Sequence, residues 1–145
     1  MTPGTSTYLP GGLPAPTPAG DGLDAEYWAG TARGELVVQR CSACSRYQWG
    51  PEWICHRCRS FALEWAPVAP HGLIYSWERI WHPVHPAVAE ACPYVVVLVE
   101  LPHADGIRMV GNLLADPTAP VPIGAPVEAV FEHHADAAPQ YSLVQ

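Results

Sequence analysis

Cys41-Ser42-Ala43-Cys44 and, ten residues further on, Cys55-His56-Arg57-Cys58 place two C-x-x-C pairs in one short segment. Each pair can fold into a tight turn that aims two sulfurs and the amides between them at one ion. Two such turns make a closed tetrahedral S4 site. The spacing is that of a small zinc-ribbon hairpin and predicts a structural metal, zinc or, in a handled sample, iron. Ordinary buried thiols or two disulfides are the weaker explanation, because paired spacing of this kind rarely arises from core packing. A closed site leaves no coordination position for water, so any chemistry the chain serves has to be sought elsewhere.

Around this array, the 145 residues allow one domain or two very small ones, and a metal staple suits a lobe of about 40 residues. A hydrophobic fraction of 49% fills a core, and no apolar run approaches a membrane span. There is no basic region followed by an apolar stretch at the N-terminus, so no secretory signal is expected. An odd cysteine count in metal-type spacing points to a reducing cytoplasm. The net charge is −7, and all seven cationic residues are Arg. From Phe61 to Gln145 only Arg79 and Arg108 stand against nine carboxylates, which argues against nucleic acid as a partner. The ribbon is the one locally basic part, with Arg40, Arg46, Arg57 and Arg59 against Glu35 and Glu52. These guanidiniums either balance a tetrathiolate metal site or receive an anionic group such as a phosphate.

Residues 1–20 hold five Pro and four Gly and read as a disordered tail. Asp21 and Asp24 are N-cap candidates for a short amphipathic helix whose Leu23, Tyr27 and Trp28 share a face, with Gly30 and Gly34 ending it. That face must dock on the chain's own core or on a partner, and three large apolar residues on a short terminal element suit a protein interface. Leu36 to Arg40 and Tyr47 to Trp49 read as ribbon strands joined by the Gly50-Pro51 bend, and residues 21–66 form helix plus ribbon. Phe61, Leu63 and Trp65 alternate, after which Pro67 and Pro70 mark a linker. Residues 67–145 then give strand-like runs at Leu73 to Trp81, Tyr94 to Leu101, Ile107 to Leu114, Pro126 to Glu132 and Tyr141 to Val144. The Asp105-Gly106 pair suggests a hairpin turn. The fold class is therefore mainly β: a short N-terminal helix, a rubredoxin-like zinc ribbon and a C-terminal OB-type β-barrel.

No nucleophile elbow, phosphate loop or Ser/His/Asp pattern is present. The best candidates for proton work are His82 and His85 on the Pro-stiffened segment from Trp81 to Pro86, although a loop His beside Pro is more often simply solvated. Cys92 reads as a small core or loop thiol, and His133, His134 and Asp136 as a polar tail. Trp49, Trp53 and Trp65 suit either a ribbon core or, if exposed beside Arg, adenine stacking.

Taken in order, Tyr27-Trp28, Leu36-Val37-Val38-Gln39-Arg40-Cys41, Cys55-His56-Arg57-Cys58, Gly72-Leu73-Ile74-Tyr75-Ser76, Pro93-Tyr94-Val95-Val96, Gly106-Ile107-Arg108 and Ile123-Gly124-Ala125-Pro126-Val127 resemble the zinc-ribbon plus OB-fold proteins associated with acyl-CoA metabolism, over roughly Asp21 to Glu132. The resemblance implies a small obligate partner of a thiolase-fold protein of the lipid-transfer-protein-like kind. Such a protein is an accessory subunit of a hetero-oligomer that processes an acyl-CoA, including retro-aldol cleavage of steroid side-chain CoA esters. It also implies that Arg46, Arg57 and Arg59 are candidates for the CoA phosphates, that the ribbon and helix dock the partner, and that the catalytic residues sit on the other chain. Two rivals are an OB module for single-stranded nucleic acid, which would need a basic groove, and an independent small acyl-CoA enzyme using the loop histidines.

Overall fold

A computed structural model describes residues 19, 22–134 and 137–144, with side chains through His133. Apart from residue 19, the expected N-terminal tail falls outside these, as do the Asp21 cap, Asp136 and the His134 side chain. Among the described residues one α-helix, α1 (Ala25–Ala32), precedes eight strands: β1 (Leu36–Cys41), β2 (Tyr47–Gln48), β3 (Leu63–Val68), β4 (His71–Ile80), β5 (Tyr94–Leu101), β6 (Ile107–Asn112), β7 (Pro126–His134) and β8 (Ala137–Val144). The first three form an antiparallel ribbon sheet in the order β2-β1-β3. The other five form one antiparallel sheet in the order β6-β5-β4-β7-β8, and its two end strands approach each other as the sheet curls. This is an OB-type half-barrel beside a zinc ribbon, the fold class the sequence predicts.

The helix ends as glycine chemistry requires, though one turn later than Gly30. The Glu35 amide reaches the Gly30 carbonyl at 2.9 Å and the Gly34 amide reaches that of Thr31 at 3.0 Å, with Gly34 at φ +73°. That pairing is a Schellman cap. Gly30 instead lies buried inside the helix, where a Cβ would sit 2.6 Å from Val37 Cγ2. It lets the helix press on β1. Asp24 occupies the N-cap position, but its carboxylate accepts from the Trp28 indole Nε1 at 2.7 Å rather than from a backbone amide.

The aromatic face expected at a partner interface is turned into the chain itself. Tyr27 is 3% exposed in the same core as Leu36, Val38, Ile74, Val95, Val97 and Val99, and Trp28 and Trp49 pack on it with ring centroids at 5.1 and 4.8 Å. A short helix is marginal alone, and burying these rings against β1 and the barrel is what holds it. Ribbon and barrel thus share one core. The Pro67/Pro70 linker reading also fails: Pro67 lies within β3 opposite Val37, and the Pro70 carbonyl accepts from Ala129 at 2.7 Å. Gly72 marks the tightest crossing, since a Cβ there would run into the Glu100 carbonyl and Val99.

The Asp105-Gly106 pair forms no two-residue hairpin. A 3-10 turn, Pro102–Ala104, precedes Asp105 in the left-handed region at φ 57°. This backbone sends the Asp105 carboxylate to the ribbon, where it accepts from Arg46 Nη1 at 2.8 Å and from the Tyr47 amide at 2.9 Å. The Tyr47 amide and then Arg46 hold its carboxyl below the usual carboxylate range. A depressed carboxylate stabilises the fold above its unfolded pKa, and that contribution is lost as pH falls through the folded value. Asp105→Asn keeps a residue that tolerates left-handed backbone. The pair is partly exposed, so the variant should lose about 1 kcal/mol in urea denaturation near pH 7, a deficit that disappears in acid. An equal deficit at every pH would remove the charge from the account.

Candidate functional site

The two cysteine pairs occupy turns of the same construction. In the first, the Cys41 amide donates to Arg46 O at 2.9 Å while its carbonyl accepts from Ser45 N at 2.7 Å, with Ser45 at φ 63°. In the second, the Cys55 amide donates to Ser60 O at 2.9 Å while its carbonyl accepts from Arg59 N at 3.0 Å, with Arg59 at φ 62°. The left-handed residue in each case turns the chain back so that both sulfurs of a pair face the same point. In the second turn the Arg57 amide also points at Cys55 Sγ, 3.4 Å away.

All four sulfurs lie within 4.8 Å of one another, with Cys41–Cys58 and Cys44–Cys55 each at 3.6 Å. A disulfide would require about 2.05 Å. Four Zn–S bonds of about 2.3 Å in a regular tetrahedron set the sulfurs about 3.8 Å apart. The donor set and its spacing therefore fit a closed structural zinc site. Hydrogen bonding by the Cys58 amide, reinforced by that of Arg57, holds the Cys55 thiol down at about 6. At Cys58 the Ser60 amide pulls the other way, but desolvation and the three neighbouring thiols push it up to about 12. At Cys44 the Arg46 amide is likewise outweighed, by desolvation and Cys55, and its pKa is raised. Thiolates crowded at one point repel one another, and a cation between them offsets that repulsion.

Behind the second turn lies a feature that the sequence did not announce. Gln39 and Gln48, opposite each other on β1 and β2, are both 4% exposed. Gln48 Nε2 donates to Gln39 Oε1 at 2.8 Å. Gln39 closes both ends of the Glu52 backbone, accepting from its amide and donating to its carbonyl at 2.9 Å each. Gln48 Oε1 accepts from the His56 amide at 2.9 Å. The pair thus ties the segment between the two cysteine turns to the ribbon sheet.

Arg46 is joined to Asp105, which separates it from the other phosphate candidates, Arg57 and Arg59, both exposed. Trp49 and Trp65 pack against the shared core, whereas Trp53 is 71% exposed and Phe61 79%. His82 is exposed; His85 caps the 3-10 helix Pro86–Ala91, with its Nδ1 accepting from Ala87 N at 3.1 Å. Cys92 is half-buried. A cleft of about 640 Å³, which no motif announces, is lined by His71, Leu73, Pro102, His103, Pro126 and Glu128. Its two imidazoles lie 4.8 Å apart, and His103 Nε2 is 3.0 Å from the Ala69 carbonyl, so Nε2 carries the proton there. The β4–β7 register, which sets His71 opposite Glu128, and the β4–β5 register, which sets Leu73 opposite Glu100 just ahead of Pro102 and His103, bring these residues together.

Comparison with known proteins gives this geometry a family. Residues 28–64 match the ChsH2 rubredoxin-like zinc ribbon domain and residues 65–132 the ChsH2 C-terminal OB-fold domain. A solved structure of an Ltp2-ChsH2(DUF35) aldolase superposes with a TM-score of 0.73 at 32% identity, covering 83% of this chain and 92% of that one. A DUF35-family protein of unknown function from Sulfolobus solfataricus shares the fold with a TM-score of 0.58 at 16% identity, over 76% and 78% of the two chains. A probable enoyl-CoA hydratase alpha subunit of Thermomonospora curvata is 38% identical over 112 residues, which are 77% of this chain and 34% of that protein. The chain thus spans about a third of the length of that curated relative. With both halves matched and near-complete coverage of the aldolase component, the chain belongs to the ChsH2 family of zinc-ribbon and OB-fold proteins.

Proposed function

We propose that this protein is a cytoplasmic accessory subunit. It binds a thiolase-fold partner and helps to hold an acyl-CoA, in a reaction of the type that shortens steroid side-chain CoA esters by retro-aldol cleavage. The observation that carries the reading is the 32% identity over 92% of the ChsH2(DUF35) component of an aldolase whose name gives it two components. The closed thiolate site supports it, since such a centre supplies scaffold rather than a reacting atom. In this reading the exposed Arg57 and Arg59 are the candidates for the CoA phosphates, and the exposed His82 is the loop imidazole left free of the capping bond that His85 makes. Both barrel arginines are already engaged. Arg79 donates to the Pro117 and Ala119 carbonyls at 2.6 Å each, and Arg108 pairs with Glu100 at 2.9 Å. That leaves the barrel without the basic groove a single-strand nucleic-acid module needs.

The test is co-expression with a thiolase-fold protein encoded beside it, followed by size-exclusion chromatography and an acyl-CoA cleavage assay. Co-elution is expected, with activity dependent on both chains. Within that complex, Arg57→Ala/Arg59→Ala should raise KM for the CoA ester about tenfold and leave kcat unchanged. Separate elution at micromolar concentration, with undiminished activity of the larger chain alone, would defeat the accessory role.

A further inference from the structure

Strand β5, Tyr94-Val95-Val96-Val97-Leu98-Val99-Glu100-Leu101, is apolar at every position but Glu100. Val95, Val97, Val99 and Leu101 are buried in the core. Tyr94, Val96, Leu98 and Glu100 alternate with them on the opposite, half-exposed face. An antiparallel strand with one face in water alternates apolar with polar residues, whereas a near-continuous apolar run marks a strand covered on both faces. The neighbouring strands extend the same face. Leu98 lies between Ser76 of β4 and Val110 of β6, and Val110 is 60% exposed. Leu73 on β4 is opposite Glu100 and 38% exposed. A shallow groove of about 270 Å³ runs along Ser76, Glu78, Val96, Leu98 and Val110. Charge is confined to its ends. At one, Arg108 stacks on Tyr75, 3.5 Å from the ring centroid, and pairs with Glu100 at 2.9 Å. At the other stands Glu78, opposite Val96.

We propose that the outer face of β4-β5-β6, centred on Leu98 and Val110, is the docking surface for the thiolase-fold partner, which presents an apolar strip with a basic rim beside Glu78. The inference rests on the accessory-subunit reading and gives that reading a location. It replaces the helix face, whose Tyr27 is buried within the chain. A second copy of this chain is the poorer occupant. A two-fold contact sets the same patch of both copies together, which brings two chains of net charge −7 face to face, and Arg108 beside the groove is already paired with Glu100 and so offsets little of that charge. Contiguous apolar surface of this kind marks protein contacts, and its central side chains carry most of the affinity.

The experiment uses the 145-residue chain and the co-expressed thiolase-fold protein, with affinity read by titration and folding checked by zinc content and circular dichroism. Leu98→Arg and Val110→Arg should each weaken the complex at least 100-fold while the chain stays folded and zinc-loaded. Val110→Ser, a milder change that an exposed strand position accepts, should weaken it about tenfold. Glu78→Lys should cost about tenfold, with the larger loss at low salt, as expected for a complementary rim charge. Phe61→Ser, on the exposed ribbon, should leave affinity unchanged. If the wild-type pair does not assemble at all, the accessory reading falls and this surface with it. If the pair assembles and tolerates Leu98→Arg and Val110→Arg, or is lost with Phe61→Ser instead, the accessory reading stands and this docking face is wrong. Concentration-dependent dimers of the chain alone that Val110→Arg dissolves would assign the face to a second copy and also overturn the proposal.

Discussion

Cys55→Ser is expected to abolish stoichiometric zinc binding and unfold the ribbon, with one equivalent of zinc per chain in the wild type and well under half in the variant. The sulfurs stand 3.6 Å apart and unbonded, so here the metal and not a disulfide closes the loop from Cys41 to Cys58. Binding of a structural zinc by four thiolates contributes on the order of 10 kcal/mol of folding free energy in small zinc domains. A ribbon whose sheet includes a two-residue strand cannot offset that loss. The damage should spread, since β1 carries Leu36 and Val38 into the core shared with the barrel. Acid should act in the same direction. The four ligands must be deprotonated to hold the ion, so zinc affinity falls as pH drops. Elemental analysis and thermal denaturation decide the matter. A Cys55→Ser variant with full zinc content and unchanged Tm would refute the structural role.

What could be read from residues alone tracks how local the physics is. The cysteine pairs were legible because chelation depends on a few bonds of sequence spacing. The β5 run was legible because strand propensity is local, and its limits, Tyr94 and Leu101, are those observed. The inward turn of Tyr27 was not. An aromatic stripe on a helix says that something covers it without saying what, and only the approach of β1 across Gly30 settles that the chain covers it itself. Asp105 read as a turn residue because Asp-Gly favours left-handed backbone. Its role in bridging to Arg46 crosses 59 positions of sequence, and no motif encodes it. The bis-histidine cleft and the apolar outer face likewise exist only once strand order and register are fixed. The half of the β5 pattern that faces outward was in the sequence all along; its meaning needed the other face to be assigned to the core.

Gln39 and Gln48 were invisible for a further reason: a glutamine in a strand reads as a solvent-facing position, and here both are buried. Gln48→Leu is expected to destabilise the protein by about 2 kcal/mol, because it strips the part-buried His56 amide of its acceptor and the buried Gln39 Oε1 of one donor while adding little apolar contact. The loss should appear at the metal as well. His56 lies inside the second cysteine turn, so releasing its amide loosens Cys55 and Cys58, and transfer of zinc to a chelator should speed up by about 10- to 100-fold. Gln48→Glu separates hydrogen bonding from bulk. The shape is kept and one oxygen can still accept from His56, but the donor to Gln39 Oε1 is lost and two acceptors are forced together in a buried site. It should therefore be at least as damaging as Leu at neutral pH, and should recover partly in mild acid if the carboxyl takes up a proton and donates to Gln39. Gln39→Leu/Gln48→Leu should cost less than the sum of the two single changes, since the bond between the side chains can be lost only once. Zinc release and Tm both unchanged in Gln48→Leu would mean that the amide pair merely fills space, and that the cysteine turns hold their geometry without it.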